Sequence, residues 1–288
     1  MTQNLNQLAH RETATVQVDG VTVTYHSAGH DDGQRPVLVM VHGSTGSTDS
    51  HYGFLFPMLG FRQRVVSVDL AAPTSDALQL EQLVAQVQAV IHAVRQETGG
   101  RPVSLMGYSL GAVVAASLAA QNPDAIHQLI LVAGWMKTDA HQRLRNGVWH
   151  DLRQSGVQAI RNYMLYCAFS ADFIAARSAQ ELVGMADKIG MDRFTDQQMR
   201  LNGNIDISHQ VPQIQAHTLI VGCTQDQMVP KSHSHQLFGA INEASYTEID
   251  SGHAVVFERP AELLRHIDAF LQQPNAYPAG SVIPAAKP

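Results

Sequence analysis

The chain has 288 residues, 45% hydrophobic and 15% charged, which excludes a disordered or fibrous protein and leaves one large domain or two small ones. A formal net charge of −6 gives no basic footprint for nucleic acid or for an anionic membrane. The two cysteines, Cys167 and Cys223, lie far apart without metal-ligand spacing, which argues against a disulfide framework and fits a reducing compartment.

The opening "MTQNLNQLAHRETATV" lacks the basic stretch and apolar core of a secretory leader, and residues 1–14 read as a tail. No apolar run reaches the ~18 residues that a membrane helix needs, so the expectation is a cytoplasmic protein without a membrane span. "TVQVDGVTVTYHSAG" alternates apolar and polar residues about Asp19-Gly20, a hairpin signal. "PVLVMVHG" (36–43) and "RVVSVDLAAP" (64–73) are apolar at successive positions, as strands buried on both faces must be. "LQLEQLVAQVQAVIHAVRQETGG" spaces Leu83, Val84, Val87, Val90, Ile91 and Val94 as a helix does, and Gly99 ends it.

"PVSLMGYS" is a further buried strand, "LGAVVAASLAAQNP" a helix stopped at Asn122-Pro123, and "IHQLILVAGW" a strand again. From Met136 to Gln213 the alternation lapses into several helices in series, which would lie over the site that an open parallel sheet forms at its strand ends. "AHTLIVGCTQDQMVP" and "ASYTEIDSGHAVVF" hold two more strands with a helix between them. "RPAELLRHIDAFLQQP" is a closing amphipathic helix, and "NAYPAGSVIPAAKP" a loosely held tail. Strands alternating with helices predict an α/β fold with a parallel sheet covered on both faces. The expected division is a core of 15–135 and 214–273, a helical segment 136–213, and a tail 274–288.

One serine in the apolar run "PVSLMGYSLGAVVAASLAA" asks for an explanation. Gly-x-Ser-x-Gly between a strand and a helix is the pattern of a nucleophile elbow, where bulk two residues to either side of the serine would clash across a sharp turn. Gly107 and Gly111 meet that demand, and Ser109 is the candidate nucleophile. It needs a base and an orienting acid. His253 in "DSGHAVVFERP" and Asp226 in "GCTQDQMVP" both follow strands at the same sheet edge, in the chain order serine, acid, histidine. Asp139, after the sixth strand, is the rival acid, while Asp250 shapes a turn and Asp69 pins a loop.

Oxyanion donors are expected from the Leu110 N–H and from the Gly43-Ser44-Thr45-Gly46 turn, assigned to Ser44 with Thr45 as rival and with His42 bracing the loop. Tyr108, Trp135, Met136, His51 and Tyr52 are the expected pocket residues. Cys223 reads as buried and inert. Fifteen histidines suggest metal, yet His233 and His235 stand two apart on a helix with no carboxylate or cysteine to complete a set; they read as surface residues, and no metal is expected.

"HGSTG", "GYSLG", "TQDQMVP" and "SGHAVVFERP", in this order and at these intervals, resemble the α/β-hydrolase superfamily from about Thr15 to Gln273. The resemblance implies an eight-stranded, mostly parallel sheet, a helical cap after strand six, and acyl-enzyme chemistry at Ser109 without a cofactor. It also implies a hydrolase acting on an ester, thioester or related acyl bond; acyl transfer, carbon–carbon bond hydrolysis with the same triad, and a non-catalytic ligand-binding member of the fold are the alternatives. The chain departs from many relatives after its fourth strand, where "VDLAAPTSDAL" lacks their Gly-rich turn and arginine. Few cations stand near the predicted pocket loops, so a small, neutral, largely apolar substrate is expected, and no nucleic-acid partner. The oligomeric state is left open.

Overall fold

The computed structural model describes residues 10–156, 158–273 and 276–284. At its centre β3 (Leu38–Val41), β5 (Val103–Tyr108), β6 (Ile126–Val132) and β7 (His217–Cys223) pair in parallel, each buried along almost its whole length. β4 (Val65–Asp69) lies in parallel beside β3, and β8 (Ala244–Ile249) beside β7. β1 (Glu12–Val18) and β2 (Val21–Ala28) add an antiparallel hairpin beyond β4. Its turn puts both Asp19 (φ 48) and Gly20 (φ 78) in the left-handed region, as a tight two-residue hairpin loop requires.

Helices fill the crossovers. α1 (Thr48–Tyr52) and α2 (Leu55–Gly60) follow β3, α3 (Leu80–Glu97) follows β4, and α4 (Leu110–Gln121) follows β5. After β6 come α5 (Ala140–Gln154), α6 (Ala159–Ala168), α7 (Ala171–Ala175), α8 (Ala179–Asp187) and α9 (Arg193–Asn202). α10 (Lys231–Ala240) follows β7, and α11 (Val255–Glu258) and α12 (Pro260–Gln272) follow β8.

Two apolar clusters sandwich the sheet, and the strands feed them alternately. Val39 and Val41 enter the one shared with α3 and α4, while Leu38 and Met40 enter the one shared with α1, α2 and α12. That double burial is why these strands read as continuous apolar runs. α4 is buried from Leu110 to Ala120, and its many small side chains let it lie close to the sheet.

The sheet has nine strands among the described residues, one more than the resemblance implied. The extra one, β9 (Val282–Ile283), pairs with β8 through Tyr246–Val282 and Thr247–Ile283, so part of the presumed C-terminal tail is a sheet edge. Likewise β1 begins at Glu12, inside the segment read as an N-terminal tail. Both segments have too little apolar periodicity of their own; pairing with a preformed neighbour orders them. Residues 1–9, 274, 275 and 285–288 of those two tails lie outside the described residues. His233, read as a surface histidine, is 1% exposed; burial pushes it below the usual histidine range, against the pull of Asp139 at 3.2 Å.

Candidate active site

The strand order β4-β3-β5 reverses the direction of winding between β3 and β5, and open parallel sheets form their crevice outside the strand ends at such a point. The loop after β3 carries Ser44, and the turn after β5 carries Ser109. Their neighbourhood is therefore a consequence of topology.

Ser109 holds φ 55 and ψ −121, a conformation that L-residues avoid and that a sharp strand-to-helix turn imposes. The flanking glycines make the turn possible. A Cβ on Gly107 would meet the Gly111 carbonyl oxygen at 2.2 Å, and one on Gly111 would meet that of Val41 at 2.1 Å. The Ser109 N–H is anchored on the Val132 carbonyl at 2.9 Å. Leu110 is the first residue of α4, so its N–H has no acceptor within the helix and lies at the helix's positive end, directly after the serine.

His253 Nε2 lies 2.8 Å from Ser109 Oγ, and His253 Nδ1 lies 2.7 Å from Asp226 Oδ2. The carboxylate can only accept, so Nδ1 carries the ring proton and Nε2 is free to accept from the serine hydroxyl. Asp226 Oδ1 accepts from the N–H groups of Met228 and Val229, both at 2.8 Å, which fixes the carboxylate and offsets its burial. Tyr108 donates its hydroxyl to the His253 carbonyl at 3.0 Å and holds the histidine loop from below. Serine, histidine and acid thus form one hydrogen-bonded chain, all three buried. The rival acid, Asp139, is elsewhere: its Oδ1 caps α5 by accepting from the Gln142 N–H at 2.9 Å.

The loop after β3 is braced from both sides. His42 accepts from the Leu70 N–H at Nε2 and donates from Nδ1 to the Gly43 carbonyl. Asp69 accepts from both the N–H and the hydroxyl of Thr48 at 2.7 Å. From the helical insertion, Gln198 takes the Thr45 N–H at 2.9 Å, and Asn202 donates to Ser44 Oγ at 2.9 Å. The Thr45 N–H is therefore occupied, while the Ser44 N–H has no acceptor among the described residues. The insertion also grips the histidine loop. Ala254 donates to the Ala168 carbonyl at 2.8 Å, and Glu258 accepts from the Ser170 N–H and hydroxyl and from the Gly252 N–H.

Between sheet edge and insertion lies a cleft of about 680 Å³. Ser109, His253, Ser44, Tyr108, Trp135 and His51 line it. His51 accepts from the Gly43 N–H, and burial pushes it down to about 3, so it is neutral at ordinary pH. Two expected pocket residues are not there. Tyr52 is fully buried in the core, spending its hydroxyl on the Val41 carbonyl, because α1 turns that face inward. Met136 packs against the main apolar cluster, its carbonyl pairing with the Ile207 N–H.

The insertion supplies most of the apolar wall, including Met164, Leu165, Phe169, Phe173 and Met199. It also supplies cations that the sequence did not disclose, Arg145, Arg177 and Lys188. Arg145 had a signal: it falls with Gln142, Asn146 and Trp149 on the inward face of α5, where a cation is unexpected. Gln198 and Asn202 had none, since their partners lie more than 150 residues away. Among the described residues no group of three or more histidines, cysteines or acids could hold a metal ion.

A family model described as "Alpha/beta hydrolase family" matches residues 38–266. The pyrrolizixenacetamide deacetylase of Xenorhabdus hominickii is 31% identical over 253 residues, covering 83% of this chain and 92% of that protein. Among solved structures, MGS-M2, an alpha/beta hydrolase enzyme from a Medee basin deep-sea metagenome library, matches with a TM-score of 0.77 at 20% identity over 90% of this chain and 98% of its own. The enol-lactonase from Burkholderia xenovorans LB400 matches with a TM-score of 0.74 at 20% identity, over 90% of this chain and all of its own (100%).

Proposed function

The chain belongs to the α/β hydrolase family and is an enzyme of hydrolase type, and we propose that it opens an ester, thioester or related acyl bond through an acyl-enzyme at Ser109. The observation that carries this reading is the unbroken chain Ser109 Oγ–His253–Asp226 at a strained elbow. The acyl chemistry in the name of the Xenorhabdus relative supports it.

In the first half of the reaction Ser109 Oγ bonds to the carbonyl carbon as its proton passes to His253 Nε2. The negative charge that develops on the carbonyl oxygen is met by the N–H groups of Leu110 and Ser44, both fixed before substrate arrives. Collapse of the tetrahedral species expels the leaving group, which takes the proton from His253. Water then repeats the cycle: its proton goes to His253, its oxygen to the acyl carbon, and Ser109 Oγ recovers a proton as the acid departs. Asp226 stabilises the imidazolium each time without taking its proton. No step calls for a cofactor. Cys167 and Cys223, both unpaired and buried, suit a reducing compartment, and we place the enzyme in the cytoplasm.

An alkylphosphonate probe tests the assignment of the nucleophile. Mass spectrometry of the labelled protein is expected to find the adduct on Ser109, and an adduct on another residue, or none, overturns the reading.

The substrate is small and its acyl part largely apolar, in keeping with the methionine and aromatic wall. The insertion at 136–213 acts as the cap that sets this preference. Phe169 lines the cleft and stacks on Phe173 at 4.6 Å, whereas Tyr166, three residues earlier on α6, is 63% exposed. Phe169→Ala should shift the ratio of rates between long and short acyl esters by about one to two decades, the ~1.5–3 kcal/mol of one lost aromatic contact. Tyr166→Ala should leave that ratio alone. Equal scaling of every substrate by Phe169→Ala would remove the insertion from specificity.

A further inference from the structure

One guanidinium facing the cleft has nothing to bind. Arg145 lines the cavity from α5, and its side chain makes no ion pair and no hydrogen bond among the described residues. Its Nε is wholly buried without an acceptor. Other arginines of the insertion are provided for. Arg153, two turns along the same helix, forks onto Asp196, and Arg177 covers the Phe173 ring and donates to the Phe173 carbonyl.

Among the described residues no carboxylate touches Arg145. Among the described residues that line the cleft the one carboxylate is Asp49, which Arg11 engages. Asp226 acts on Arg145 through space, yet both its oxygens are filled by Met228, Val229 and His253. The other groups beside Arg145 are Tyr163 and Cys167, and burial keeps both protonated, pushing the tyrosine up to about 12. Burial also pushes the guanidinium below the usual arginine range. A chain with a net charge of −6 thus places three cations around its cleft, and Arg145 among them has a buried Nε without a partner among the described residues.

An unpaired buried charge destabilises a fold, and such a cost is retained where a ligand supplies the missing partner. We propose that Arg145 recognises a carboxylate on the substrate, so that the enzyme acts on an apolar acyl compound carrying one carboxylate apart from the bond it cleaves. A planar fork of N–H donors suits a carboxylate in two-point contact, and a single guanidinium balances one negative charge. The inference rests on Ser109 as nucleophile, and it replaces the neutral substrate that the sequence suggested.

The test compares substrates that differ only in charge. One series comprises p-nitrophenyl half-esters of glutaric, adipic and pimelic acids against the same esters ending in a carboxamide. A second reverses the ester, with acetates of ω-hydroxy acids against acetates of the ω-hydroxy amides. The first places the carboxylate on the acyl side and the second on the leaving group. Wild type should favour the carboxylate over the amide at least tenfold in kcat/KM in one series. Arg145→Met should bring that ratio to one or below, because a charge entering an apolar cleft then goes uncompensated, and Arg145→Lys should retain part of it.

Thermal denaturation supplies the second readout. A residue that merely braced α5 would lower the melting temperature on replacement, whereas removal of an unpaired charge should leave it equal or higher. If Arg145→Met proves unstable, Arg145→Lys and Arg145→Gln carry the ratio measurement. A ratio that Arg145 variants leave unchanged, or a wild-type preference for the amide in both series, overturns the proposal. Phosphonate labelling of wild type, run beside it, separates the two failures: labelling at Ser109 without charge preference sinks only the carboxylate, while absence of labelling sinks the nucleophile as well.

Discussion

Replacing Ser109 with alanine should lower turnover by at least ~10³-fold, since nucleophile and base act as a unit and neither substitutes for the other. The fold should survive. Alanine keeps the Cβ, so the elbow at φ 55 is as strained as before, and the anchoring bond from the residue-109 N–H to the Val132 carbonyl remains. Ser109→Gly separates strain from chemistry. Glycine adopts this conformation without the clash that a Cβ brings, which outweighs its larger loss of backbone freedom, for a net gain over Ser109→Ala of about 1 kcal/mol. The glycine variant should therefore melt on the order of 2 °C above the alanine variant and be just as inactive. Steady-state rates with any accepted ester and two melting curves decide the matter. An alanine variant with a tenth of wild-type turnover would take the serine out of the chemistry. A glycine variant melting below the alanine one would mean that the turn is not under strain.

What the sequence disclosed follows the range of the interactions. The elbow is local: five consecutive residues between an apolar run and a small-residue helix specify both the turn and its serine, so Ser109 was legible. His253 and Asp226 were legible for a different reason. Each follows a buried strand, and parallel strands deliver the loops at their carboxyl ends to one edge whatever their separation in sequence. The wall opposite obeys no such rule. Helices in series announce themselves by period, yet their docking angle is set by side chains such as Gln198, Asn202 and Glu258 meeting loops far away in the chain. The partners of Thr45 and Ser44, and the absence of one for the Arg145 side chain among the described residues, consequently could not be read. Tyr52 shows the converse limit. It sits one residue from His51 on α1, and a turn of about 100° between neighbours sends one ring to the cleft and the other to the core. At the sheet margins β9 is two residues long and gains its order from β8, a kind of stabilisation that leaves no periodic trace in sequence.

The acid can be assigned by a pair of isosteric substitutions. In Asp226→Asn the oxygen facing Met228 and Val229 would be retained as the acceptor of their two N–H groups, which turns the amide NH₂ toward His253 Nδ1. An amide donor there obliges Nδ1 to accept and moves the ring proton to Nε2, where it blocks acceptance from Ser109 Oγ. The expected loss is ~10²–10⁴-fold in kcat with little change in stability, because every hydrogen bond of the loop is still made. Asp139→Asn is the matched control. Asparagine caps a helix as well as aspartate does, so the bond from the Gln142 N–H and the start of α5 should persist, and activity should stay within a few-fold of wild type. The one contact that changes is with the buried His233, which touches Asp139 at 3.2 Å. Should Asp139→Asn be the crippled variant and Asp226→Asn the silent one, the proton on His253 is governed from the end of the sixth strand, and the geometry at Asp226 serves only to close a turn.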